Sequence, residues 1–343
     1  MSARLLKESD KELWDRYVMS SDNATGYHLT GWKDVIERSF GHKALYLLAE
    51  KKGSLQGVLP LVRLKSLLFG NYLVSLPYFN YGGICADTEE CFGELLEEAS
   101  RLASAEGAAY IEYRHTRRST RGLPEKTAKV CMHLDLPGSE GALWSTFPSK
   151  LRSQIRRPSK EGLQARIGKA EEIDSFYSVF AANMRDLGTP VYSREFFRNI
   201  IRVFPESSWI CTVYTGDGRP AASGFLVGFK KKLEIPWASS LRSLNHLSPN
   251  MLLYWTALRF ACEQGFRSFD FGRSTPGEGT YRFKEQWGAK PVPLYWHYWL
   301  RNGTTLPELN PKNPKYRLAI KIWQRLPVGL TRLIGPSIVK NLP

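Results

Sequence analysis

The sequence predicts a chain of α/β (α+β) class made of two tandem units, each a mixed β-sheet flanked by helices. Three observations carry that expectation. The chain has 343 residues, room for two ordinary domains of roughly 100–200 residues each. Its 43% apolar and 13% aromatic content can fill two cores, which argues against global disorder. One order of elements (strand, turn, strand, strand, loop, helix, glycine, strand) can also be read twice, and such self-similarity points to a duplicated domain.

In the first half, residues 5–20 read as an amphipathic helix with Leu13, Trp14 and Tyr17 on its inner side. Thr30 is expected to cap a second helix over 31–40, which turns Trp32, Val35, Ile36 and Phe40 inward. Strands follow at 44–50, 57–64 and 72–77, the first two joined by a Lys-Lys-Gly-Ser turn. A glycine-rich loop at 81–83 leads to a helix over 88–105, stopped by Gly107, and to a strand over 109–114. The second half repeats this order. Strands are expected at 209–214, 221–228 and 232–238, with Gly216-Asp217-Gly218 as a hairpin turn. A Ser- and Asn-rich loop, a helix over 251–262, Gly265 as its stop and a strand over 268–271 complete it. The expected boundaries are 1–148 and 149–310, followed by a basic tail, 311–343.

Composition excludes several classes. Residues 1–11 are charged and lack the apolar core of a secretory signal, and no run approaches the roughly 20 apolar residues of a membrane span. Five scattered cysteines without a CxxC spacing suggest reduced thiols in a cytoplasmic protein. Six histidines without HxxxH spacing give no metal site. The formal net charge of +15 suggests an anionic partner such as tRNA, a nucleotide-activated sugar, a phospholipid surface or a coenzyme A diphosphate.

Two stretches concentrate chemistry. In 268–271, alternation puts Phe269 and Phe271 on one face and Asp270 on the other. Arg273, Ser274, a flexible loop over 275–280, then Tyr281, Phe283, Lys284 and Trp287 follow, and ligands of α/β folds commonly lie at strand ends of this kind. The bland alternative makes Asp270 and Arg273 a structural pair and the aromatics core. The second stretch is 150–162, where Lys150, Arg152, Arg156, Arg157 and Lys160 face one acid, Glu161. Ser149 is expected to cap a helix there and Pro158 to end it, with the cations forming a phosphate- or RNA-binding surface.

FDFGRS, the Phe-Lys pair and WGA resemble the FemAB-like acyltransferases, specifically the subgroup found beside exosortase and exopolysaccharide genes. SLPYFNYGG, KLRSQIRR, RDLGTPV and PWASSLR extend the resemblance over most of the chain. It implies two GNAT-type domains and transfer of an acyl or aminoacyl group to an amine, with an amine-bearing envelope or glycan precursor as acceptor. It also puts Phe283 and Lys284 at the reaction centre. Lys284 is the candidate for stabilising the oxyanion or holding a donor phosphate, and Asp270 for accepting the amine's proton. Arg273, Ser274, Tyr281, Trp287, Trp237, Arg242, Asn250, Tyr78 and Asn80 are the expected substrate contacts. No bound cofactor is expected. Of the two co-substrates, aminoacyl-tRNA is favoured over acyl-CoA, because 239–250 has no glycine with which to cradle a diphosphate. The sequence departs from the cell-wall enzymes at Ile36, where their pattern has a lysine. In the tail, Leu318, Ile322 and Trp323 lie opposite Arg317, Lys321 and Arg325, so it reads either as an interfacial helix at the inner membrane or as a helix packed on the body. The rival readings are an acyl-CoA-dependent N-acyltransferase and a catalytically silent module that binds nucleotide-linked glycans or RNA.

Overall fold

A computed structural model describes residues 2–342 apart from 68, 120, 303–304 and 308–313. Strand β1 (Ser2–Leu5) opens the chain and pairs antiparallel with β3 (Leu47–Lys51), so the first helix, α1 (Lys11–Ser20), starts later than expected. Arg4 holds this edge strand through Asp10 (2.6 Å) and Glu50 (3.1 Å). Helix α2 (Gly31–Phe40) forms as expected. Thr30, however, makes no capping bond, because its N–H and hydroxyl are engaged by the Asp15 carboxylate.

The expected strand at 57–64 is two strands. Pro60 has no N–H to donate, and there the chain passes from β4 (Ser54–Leu59) to β5 (Leu61–Ser66). As a result two sheets form. One has the order β1-β3-β4-β7, with β7 at Cys85–Ala86. The other begins with β2 (Lys43–Ala44), β5, β6 (Gly70–Ser75) and β8 (Tyr110–His115). Helix α3 (Glu89–Ala105) crosses between the parallel strands β6 and β8. Thr88 caps it by accepting the Cys91 N–H, and Cys91, Leu95, Ala99 and Ala103, spaced four apart, form its buried stripe. Gly107 follows at φ +69, a backbone state that disfavours any side chain.

After β9 (Glu125–Lys126), β10 (Val130–Asp135) joins the second unit. Its seven-stranded sheet has the order β11-β12-β13-β14-β15-β10-β16, with β11 (Gln164–Gly168), β12 (Ser208–Tyr214), β13 (Pro220–Phe229), β14 (Lys232–Ser240), β15 (Ser268–Ser274) and β16 (Lys290–Pro293). Helices α4 (Glu140–Thr146), α5 (Ser149–Lys160), α6 (Ile173–Leu187), α7 (Arg194–Val203), α8 (Pro249–Glu263) and α9 (Gly279–Glu285) complete it. Strand β17 (Tyr295–Leu300) returns to the first unit, between β8 and β9. Helix α8 is the counterpart of α3, crossing between the parallel strands β14 and β15 and followed by Gly265 at φ +73.

The chain therefore passes between the units more than once. The first comprises Met1–Ala128, Pro293–Leu309 and Lys340–Pro343, and the second Lys129–Val292 and Asn310–Val339. The boundary falls at 128/129 rather than 148/149. The tail is not separate: α10 (Pro314–Trp323) and α11 (Val328–Val339) belong to the second unit, where α11 buries Thr331, Gly335 and Val339. Leu318, Ile322, Leu330 and Leu333 remain exposed. No helix among the described residues is long and apolar enough to cross a membrane.

Helix α5 also departs from expectation. Pro148, not Ser149, is its N-cap, and Pro158 lies inside the helix, which continues to Lys160. Leu151, Ile155 and Pro158 form its buried face. Near its end the helix forgoes one N–H donor at Pro158, whose ring joins the buried face.

Candidate active site

Strand β15 lies inside its sheet, with β14 parallel on one side and β10 antiparallel on the other. Phe269 and Phe271 turn into the core with Leu233 and Ile235. Asp270 takes the opposite face, in register with Glu234 of β14 and His133 of β10. Three ionisable side chains thus stand in a row across three strands. Asp270 is fully buried and lies 2.9 Å from His133 Nε2, while the His133 side chain is 20% exposed. The second Asp270 oxygen accepts the Gly272 N–H at 2.8 Å. Gly272 takes φ +74, which turns the strand end toward α9.

Helix α9 returns Lys284 to that end. Its Nζ donates to the carbonyls of Gly272 and Arg273, both at 3.0 Å. Two of its three N–H donors are spent there, and the third has no protein partner among the described residues. Burial pushes the Lys284 pKa down to about 8, an effect that Cys131 and Asp270 partly offset. A lysine near this value is poised between cation and free amine at working pH. The Ser274 hydroxyl, also buried, has no hydrogen-bond partner among the described residues.

Several expected roles change. Asp270 lies 2.9 Å from His133 on another strand, and its sequence neighbour Arg273 is exposed. Phe283 points about 100° away from Lys284, as adjacent helical residues do, and packs edge-on against Tyr254 at 5.1 Å. Its role is to anchor α9. Trp287 is 1% exposed and packs on Phe147, so it belongs to the core rather than to a cleft wall. Trp237 is buried among Phe196, Phe197 and Phe225. Tyr281 packs against the core. Arg242 is exposed on a short 3-10 helix, and Asn250 donates to Ser240 Oγ at 3.1 Å. Tyr78 and Asn80 lie in the first unit, where Tyr78 donates to the Lys340 carbonyl (2.7 Å) and the Asn80 carbonyl accepts from Trp296 (3.3 Å).

The five cations of α5 divide. Arg152, Arg156 and Lys160, four residues apart, line one shallow depression with Ser149 and Ser153. Arg156 also lies over the Trp144 ring at 5.1 Å, and Trp144 lies 4.9 Å from Trp255. Lys150 is exposed elsewhere on the helix, and Arg157 is drawn to Glu161 (4.0 Å) and the His246 carbonyl (3.1 Å).

Comparison with known proteins bears on the whole arrangement. A family profile described as an acetyltransferase (GNAT) domain matches residues 149–285. The crystal structure of FemX superimposes with a TM-score of 0.68 at 16% identity, covering 88% of this chain and 98% of that one. The C-terminal domain (DUF2156) of a putative lysylphosphatidylglycerol synthetase from Agrobacterium fabrum gives 0.59 at 14% identity, covering 96% of each chain. In sequence, the UDP-N-acetylmuramoylpentapeptide-lysine N(6)-alanyltransferase of Weissella viridescens is 23% identical over 104 residues. The GNAT match falls within the second unit, and the fold is similar to that of FemX. That sequence match spans 30% of this chain and about a third (31%) of the alanyltransferase.

The motif reading singled out Asp270 and Lys284 but not His133 and Glu234, which lie in register with Asp270. Both carry a usable signal, a single ionisable residue pointing away from apolar neighbours in a buried strand: His133 between Met132 and Leu134, Glu234 between Leu233 and Ile235.

Proposed function

We propose that this chain is an N-acyltransferase that moves an acyl or aminoacyl group from an activated donor to an amine on a cell-wall or lipid precursor. The observation that carries this reading is Lys284, drawn into the end of β15 beside the Asp270–His133 pair with one N–H left to donate. The amine nitrogen attacks the donor carbonyl, and charge builds on the carbonyl oxygen, where the Lys284 cation offsets it. The amine's proton passes to the Asp270–His133 pair, with His133 as its solvent-reaching end. The intermediate then collapses: the donor's C–O bond breaks, and the leaving oxygen takes up the proton that the amine gave to the Asp270–His133 pair.

An aminoacyl-tRNA donor is the preferred reading. Arg152, Arg156 and Lys160, with Trp144 and Trp255 beside them, present cations and aromatic faces together, the chemistry that holds RNA backbone and bases. Helix α8 begins at Pro249, which supplies no N–H where a coenzyme A diphosphate would seek one. Exopolysaccharide or envelope assembly is the proposed setting. The exposed Leu318, Ile322 and Leu333 beside Arg317, Lys321 and Arg325 support peripheral contact with an anionic inner membrane.

The test is transfer of labelled amino acid from a charged tRNA pool to amine-bearing envelope precursors. Transfer is expected. Ligand binding without turnover would favour the silent binding module, and a micromolar Kd for coenzyme A by calorimetry would replace tRNA as donor.

A further inference from the structure

The first unit holds a cavity of about 180 Å³ whose lining includes His28, Gly83, Glu89, His115, Arg117 and Ser119. Its hydrogen bonds assign the histidine protons. The Ser119 N–H donates to His297 Nε2 at 3.1 Å, and a ring nitrogen that accepts in this way carries no proton. Glu125, 3.4 Å from the same nitrogen, is held by Arg118. Neutral His297 therefore has its proton on Nδ1, which lies 2.9 Å from His115 Nδ1. His115 Nδ1 accepts, and its own proton sits on Nε2.

That Nε2–H is buried in a residue only 6% exposed and has no partner among the described residues. A buried donor left unmade costs about 1–3 kcal/mol. Burial, reinforced by His297 and His28, pushes the His115 pKa down to about 3, so the ring remains a neutral donor at physiological pH. The surroundings hold it rigidly. His28 accepts the Thr25 N–H at Nδ1 (3.0 Å) and donates from Nε2 to the Gly83 carbonyl (2.8 Å). Gly83 in turn lies against the His115 ring so closely that a Cβ would come within 2.3 Å of its Cδ2. Of the lining arginines, Arg114 pairs with Glu112 (2.8 Å) and Arg118 with Glu125, whereas exposed Arg117 has no ion pair among the described residues.

We propose that this cavity is a second ligand site, separate from the Lys284 centre, that takes a small oxyanion (carboxylate or phosphate) with His115 Nε2–H and Arg117 as its donors. Long-range proton–nitrogen NMR of the histidine rings tests it, with inorganic phosphate and acetate titrated separately at fixed ionic strength. His115 is expected to be protonated on Nε2 and to shift saturably at millimolar anion. Arg117→Gln, on the surface, should weaken that response by about tenfold. A response to phosphate alone identifies a phosphate ester, and a response to acetate alone a carboxylate. A proton on Nδ1, no saturable shift with either anion, or full-strength binding in Arg117→Gln would overturn the site. None of these readouts uses acyl transfer, so failure here leaves the transferase reading intact.

Discussion

Strands β8 and β15 hold the same slot in their sheets, each parallel to one neighbour, antiparallel to the next and fed by a helix that ends at a glycine. Each carries a buried carboxylate at the corresponding place, Glu112 and Asp270. Their surroundings differ. Glu112 is bound by Arg114 at 2.8 Å and by the Tyr298 hydroxyl at 2.8 Å, while Arg114 also donates to the Phe79 carbonyl and stacks on Trp296 at 4.4 Å. Arginine does not release its proton. Asp270 instead faces a histidine that reaches solvent, near a lysine held close to its titration point. Duplication supplied one slot twice. In the first unit the slot is a structural clamp, and in the second it places a histidine and a buried lysine near the carboxylate.

Breaking the clamp should have the largest effect. Glu112→Ala leaves Arg114 as an uncompensated buried charge, so urea unfolding should show a loss of about 3–5 kcal/mol. Turnover per folded molecule should stay within about twofold, and a turnover loss matching that of a Lys284 variant would erase the distinction between the slots.

Lys284→Met is the converse. It should lower kcat by about 100- to 1000-fold, the usual cost of one oxyanion donor, with the fold retained by circular dichroism. Its pH signature follows from the lowered pKa. Below about 8 the folded protein carries the Lys284 cation, so wild-type kcat should fall as pH rises through that value. Between about 8 and 10.5 the unfolded chain still binds a proton that the folded chain has released, so stability should rise with pH there, by on the order of 3 kcal/mol in total. In the Met variant that rise should vanish.

A smaller effect is expected on α5. Replacing Arg152, Arg156 and Lys160 together by Gln should flatten the slope of log affinity for tRNA against log salt by roughly two. Replacing Lys150 and Arg157 should flatten it less, because they lie off that face. Equal effects from both sets would mean diffuse charge rather than a surface.

Local chemistry was readable along the chain. The turn glycines at 107 and 265 and the alternation around Asp270 each depend on about ten consecutive residues, and the mixed α/β class could be read from them. The proline breaks were harder to read. Pro60 splits a strand and Pro158 does not stop a helix, because the outcome depends on whether the lost N–H bond or the buried ring matters more at that place. Aromatic residues were harder still: Trp287 and Trp237 look alike in sequence to cleft-lining rings, and burial against Phe147 or Phe197 is what makes them core.

From the order of residues alone came the twice-used α/β plan, the cations of α5 and the presence of Asp270 and Lys284 in one segment. Folding in three dimensions supplied His133 as the partner of Asp270, the return of β17 to the first unit and the carbonyl pair that holds Lys284. Periodicity and turn preference act between near neighbours and are written locally. Strand pairing joins segments far apart in the chain, and its register is chosen by which faces can be buried together.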